Sequence, residues 1–125
     1  MAANVLVKST AIGVVLQLAM VMIGKVVPAI GAMPNFYAIC GTVLAAVTGA
    51  IAARGTPGAS SGATAMNGGI VGGASSIVGG LLAVATGQWP GFEIVQLLFP
   101  AISGVVGGGV GALLSRMMSG KPSPA

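Results

Sequence analysis

With 125 residues the chain has room for one domain, and 55% of it is hydrophobic against 5% charged, with 22 glycines and no histidine. A water-soluble domain carries about 25% charged residues, so this composition excludes an ordinary cytosolic enzyme. One carboxylate (Glu93), one cysteine (Cys40) and no aspartate remove most catalytic, metal-binding and cofactor chemistry, and no cofactor is expected.

The charged residues serve best as boundary markers. Lys8, Lys25, Arg54, Glu93 and Arg116 separate uncharged intervals, and a membrane-spanning helix takes about 20 mostly apolar residues. The expected fold is therefore all-α and polytopic, a single membrane domain with four transmembrane helices. Spans are placed at about 9–31, 36–53, 66–87 and 94–115, with a loop at 54–65 and a tail at 117–125. The first span includes Lys25. A cleaved signal peptide is the competing reading of residues 1–32, with Lys8 before its apolar core and Ala32 before the cut. The second span follows Pro34 and ends at Arg54. The third is diluted by glycine and inserts poorly alone, so a re-entrant segment within 58–80 is its alternative. The fourth contains Pro100, which is expected to kink it.

Lys8, Arg54, Arg116 and Lys121 fall on one side of this topology, and Glu93 falls on the other. Cytoplasmic loops favour Lys and Arg, which places both termini in the cytoplasm, with a bacterial inner (plasma) membrane as the expected location. Trp89 and Tyr37 fit interfacial positions. The positive charges are scattered rather than clustered, so nucleic acid is not an expected partner.

The chain also resembles itself. A shift of 56 residues superposes Gly13 on Gly69, Gly24 on Gly80, Gly31 on Gly87, Pro34 on Pro90 and Phe36 on Phe92. Beyond six additional residues around Glu93 to Pro100 the offset becomes 62, matching Gly49-Ala-Ile-Ala-Ala-Arg54 to Gly111-Ala-Leu-Leu-Ser-Arg116. This pattern predicts a duplicated two-helix hairpin, both copies inserted in the same direction.

Lipid tails are as apolar as leucine, so membrane helices associate through small residues that let backbones approach. Every fourth position gives Gly41, Ala45, Gly49 and Ala53 in span two, and Gly68, Gly72, Ser76 and Gly80 in span three. Span four gives Ser103, Gly107, Gly111 and Ser115. The equivalent positions in span one, Ile12, Leu16, Met20 and Gly24, are mostly bulky, which sets that span outside the tight bundle or against another subunit.

Two charges stand out as pathway or ion-pair residues. Lys25 either snorkels to the outer interface, pairs with Glu93, or lines a route for an anion. Glu93 suits a helix N-terminus. Carboxylate-based proton carriage is not supported, because the equivalent mid-span depth holds Ser103 and Gly104. Gln17, Gln96 and Thr48 suit interhelical hydrogen bonds. The expected function is that of a structural, accessory or oligomer-forming subunit, not an enzyme, with the lipid bilayer and further membrane subunits or its own copies as partners. A small oligomeric transporter or channel is the alternative, and a holin-like lytic pore-former the third reading.

Overall fold

A computed structural model describes residues 2–31, 36–87 and 93–118, and every regular element among them is helical. Helix α1 spans Ala2–Val26, a short α2 Pro28–Gly31, α3 Phe36–Arg54, α4 Ser61–Ala85 and α5 Leu98–Met118, the last preceded by a 3-10 turn over Ile94–Leu97. Three segments are long and apolar enough to cross a membrane: Ala3–Val26, Ser61–Ala85 and Ile94–Met118. Ala38–Arg54 is a shorter apolar helix. Ala32, Trp89, both proline turns and residues 119–125 of the tail lie outside the described residues.

The helix boundaries follow local chemistry. The first helix extends further towards the N-terminus than the expected 9–31 and stops at Val26. Pro28 accounts for the stop, because its ring disfavours helical backbone at Val27. Lys25 consequently stands in the last turn of α1, at the very end of the Ala3–Val26 segment. Helix α4 starts at Ser61, where the loop was expected, because the Ser60 hydroxyl accepts the Ala63 amide at 3.2 Å and caps the first turn. It then runs unbroken through 25 residues, a continuous helix in place of a re-entrant segment. The Thr86 amide closes onto the Leu82 carbonyl at 3.0 Å, and Gly87, at φ 76°, supplies the left-handed residue that ends the helix.

Pro100 does not interrupt α5. It occupies the first turn, where an amide would have no intrahelical partner, and the 3-10 turn ahead of it absorbs the irregularity.

The packing is that of a rhombus. Helices α3 and α4 lie against each other and against both remaining long helices, with α1 and α5 at the far corners. The α4–α5 and α3–α5 interfaces are the most extensive. Between α4 and α5 the contacts pair Gly68 with Ala112, Gly72 with Gly108 and Ser76 with Gly104, an antiparallel register. A methyl built on Gly72 would lie 2.8 Å from the Gly108 Cα, so the two backbones touch. Against α3, Gly108 meets Gly49 and Gly111 meets Ala46. The 62-residue offset exchanges these last two contacts, since it carries residue 46 to 108 and residue 49 to 111.

Helix α5 thus carries two seams on adjacent faces: Gly104, Gly108 and Ala112 towards α4, and Gly107 and Gly111 towards α3. Helix α1 also packs through small or polar residues, on a face that joins Met20 and Gly24 of the expected set to positions one residue along. Ser9, Gly13, Gln17 and Val21 are buried, whereas Ile12 is exposed. A methyl on Gly13 would meet Thr48 Cγ2 at 2.7 Å and Ser75 Cβ at 2.9 Å.

The interior is mostly Gly, Ala, Ser and Thr, while the large aliphatics face outward. Val15, Ile39, Val43, Ile70, Leu81, Ile102, Val106 and Leu114 are all exposed. A water-soluble fold has the reverse arrangement, and hydrocarbon is the solvent that suits this one.

Candidate functional site

The end of the bundle where α1 and α4 finish and α3 and α5 begin opens into a cavity of about 270 Å³. Helix α1 lines it with Gln17 and Met20, and α3 with Ala38 and Gly41. Helix α4 contributes Ser76, Gly79, Gly80 and Ala83, and α5 contributes Phe99, Pro100 and Ser103. The rim comes from the first turns of α3 and α5. The deepest residues along α1 and α4 are Gln17 and Ser76, each nine residues from its helix end, or about 13 Å at 1.5 Å per residue. Further along the bundle, the Gly72–Gly108 and Gly49–Gly108 backbone contacts close the interior, so the cavity is blind.

Among the described residues its lining is apolar apart from three side chains, and none of them is charged. Gln17, at 2% exposure, donates from Nε2 to the Gly41 carbonyl at 3.3 Å and so ties α1 to α3. Its other end lies against α4, where a methyl on Gly79 would stand 2.7 Å from Oε1. Ser103 donates to the Pro100 carbonyl at 3.3 Å, within its own helix. Ser76 is 5% exposed and its Oγ has no hydrogen-bond partner. A buried hydroxyl without a partner costs free energy unless another group satisfies it.

The residues singled out from sequence fall into three groups. Ala45, Gly49, Ala53, Gly68, Gly72, Gly107, Gly111 and Ser115 are buried between helices. Gly41, Gly80 and Ser103 are half-buried and, with Ser76, line the cavity, so the three stripes open into it at one end.

Lys25 and Glu93 form the third group. Lys25 is exposed, and its Nζ lies 3.5 Å from the Thr86 carbonyl at the C-terminal end of α4. It therefore serves the negative ends of two helix dipoles, its own and that of α4. Glu93 sits at the N-cap of the 3-10 turn, where its amide donates to Gln96 Oε1 at 2.8 Å. Each charge is engaged at a helix terminus, outside the cavity lining.

Sequence reasoning missed Gly104 and Gly108, which make close backbone approaches, and Gly13, which packs against the side chains of Thr48 and Ser75. It also missed the anchoring of Arg116, which donates to the Ala59 carbonyl and, at 3.3 Å, to Thr64 Oγ1. That anchor places the end of α5 beside the loop after Arg54. Val5 of α1 packs at Gly55 in the same loop, so Lys8, Arg54 and Arg116 gather at one end of the bundle. The stretch Gly58-Ala-Ser-Ser-Gly62 has the spacing of a hydrolase nucleophile turn, but Ser60 is the cap of α4 and the chain has no histidine to activate it.

Compared with known proteins, the chain matches no family model, no curated protein and no solved structure.

Proposed function

We propose that this chain is a four-span integral membrane protein acting as a structural or accessory subunit, with both termini on the cytoplasmic side. The observation that carries the reading is the inverted core: small residues meet inside, and a belt of bulky aliphatics faces outward on every long helix. Helix α3, at 19 residues, is about 28 Å long, close to the roughly 30 Å of a hydrocarbon core, which supports counting it as a span. The gathering of Lys8, Arg54 and Arg116 at one end supports the orientation. Exchange of the 46–111 and 49–108 contacts by the repeat offset supports a duplicated hairpin. The corner position of α1 marks where the two copies have diverged.

In this reading the glycine seams hold the chain itself together, and a neighbouring subunit or a second copy meets the aliphatic faces. Native mass spectrometry after gentle extraction is expected to show the chain in stoichiometric complex with another membrane protein or with itself. Liposomes containing it alone are expected to hold an ion gradient. A solitary monomer, or liposomes that leak, would overturn the reading.

The blind cavity favours the second reading, a small transporter or channel. Flux through proteoliposomes, falling in Lys25→Ala if that residue lines the route, would establish it. General release of large solutes would instead point to a holin-like pore.

A further inference from the structure

We propose that the cavity between the four long helices is a binding site for a small uncharged aliphatic alcohol, taken up head-first. The volume of about 270 Å³ sets the size class. An engineered cavity of about 150 Å³ accepts benzene, so this one accommodates about ten heavy atoms and not a whole lipid.

The walls set the charge class. Met20, Ala83 and Phe99 present hydrocarbon, and among the described residues no lysine, arginine or glutamate contributes to the lining, so an ion entering it would lose its hydration without a counter-charge. The polar residues set the head group. Among the described residues Gln17 Oε1 accepts no hydrogen bond, while Ser76 Oγ has no partner at all. Gly79, against which the Gln17 amide lies, is three residues from Ser76 on α4. A hydroxyl both donates and accepts, so one such group can give its proton to Gln17 Oε1 and, once the Ser76 side chain turns from its place against Gly104, receive that of Ser76. An alkane satisfies neither. Polar groups deep in the cavity and an apolar rim orient the ligand with its tail towards the mouth. Binding here is independent of the subunit role and adds a ligand to it.

The chain's methionines provide the readout. Met20 lines the cavity and is 8% exposed, whereas Met22, Met66, Met117 and Met118 are exposed on the bundle surface. With the full chain in phosphatidylcholine nanodiscs and ¹³C-labelled methionine methyls, 1-octanol is expected to shift the Met20 resonance saturably. The surface methionines should drift linearly as alcohol partitions into lipid.

Octane should leave Met20 close to its starting position or require at least about tenfold more ligand, the discrimination one buried hydrogen-bonded hydroxyl supplies. Ser76→Ala should erase most of the preference for octanol over octane while leaving the methionine spectrum of the free protein in place. Ala83→Leu should abolish saturation by filling the cavity. A linear response at Met20 in the native chain would overturn the site. Equal responses to octanol and octane would overturn the head-group assignment and make the cavity an alkyl-chain groove. An unchanged preference in Ser76→Ala would remove Ser76 from it.

Discussion

Replacing Gly108 with valine is expected to destabilise the bundle by about 3 kcal/mol or more, at or beyond the upper end of the usual cost of overpacking a core. The reason is the number of backbones that converge there. Gly49 of α3 and Gly68 and Gly72 of α4 all approach the main chain of Gly108, and a methyl on Gly108 itself would press on the Gly68 carbonyl and lie 3.0 Å from the Gly72 Cα. A side chain can rotate away from an intruding methyl, but a backbone in a helix cannot, so α4 must move away from α5. Val110, two residues along and 50% exposed, supplies the control. Val110→Leu enlarges a side chain on the outer face and should be nearly silent. Denaturant or thermal unfolding in mild detergent measures both. A Gly108→Val protein as stable as the control would remove the three-helix junction from the account.

Gly13→Val is expected to have the second-largest effect, about 2 kcal/mol, with a different distribution. The added side chain drives into Thr48 and Ser75, which separates α1 from α3 and α4 but leaves the α3–α4–α5 contacts intact. Interhelical hydrogen bonds in membranes average only about 0.6 kcal/mol, so the Gln17–Gly41 bond cannot hold α1 in place alone. Cys40 reports the outcome, because it packs against the cluster of Met20, Val21 and Ala83 that α1 and α4 form together. A lipid-soluble maleimide should label Cys40 several-fold faster in Gly13→Val than in the native chain, before global unfolding begins. Labelling at the native rate would mean that α1 is not held through this face.

These two glycines also show what the sequence reveals and what it withholds. Helix α3 could be read almost to the residue, since a proline turn precedes it and Arg54 ends it. The phase of α5 could not. The run Gly107–Gly108–Gly109 satisfies more than one fourfold stripe, and only the partner helices decide that 104, 108 and 112 face α4 while 107 and 111 face α3. For α1 the repeat offset gave only part of the buried face, since Met20 and Gly24 are buried but Ile12 is exposed. Its buried face also takes in Ser9, Gly13 and Gln17.

The position of Lys25 was obscured for a related reason. Apolar length alone does not show that Pro28 ends α1 and leaves the lysine at a helix terminus. Gln17 was visible as a polar residue in an apolar helix, but its place above a cavity required three other helices to be in position. The orphaned Ser76 hydroxyl has no sequence signature, because serine is common in membrane seams whether or not it finds a partner.

Topology mapping tests the four-span bundle most directly. In a Cys40→Ala background, single cysteines are introduced as Arg54→Cys, Glu93→Cys and Met118→Cys, three exposed positions at the ends of α3, the 3-10 turn and α5. A membrane-impermeant maleimide applied to sealed vesicles of each orientation is expected to reach positions 54 and 118 from the same face and position 93 only from the other. Labelling of 54 and 118 from opposite faces would mean that an odd number of the intervening helices crosses the bilayer, and the account would fail.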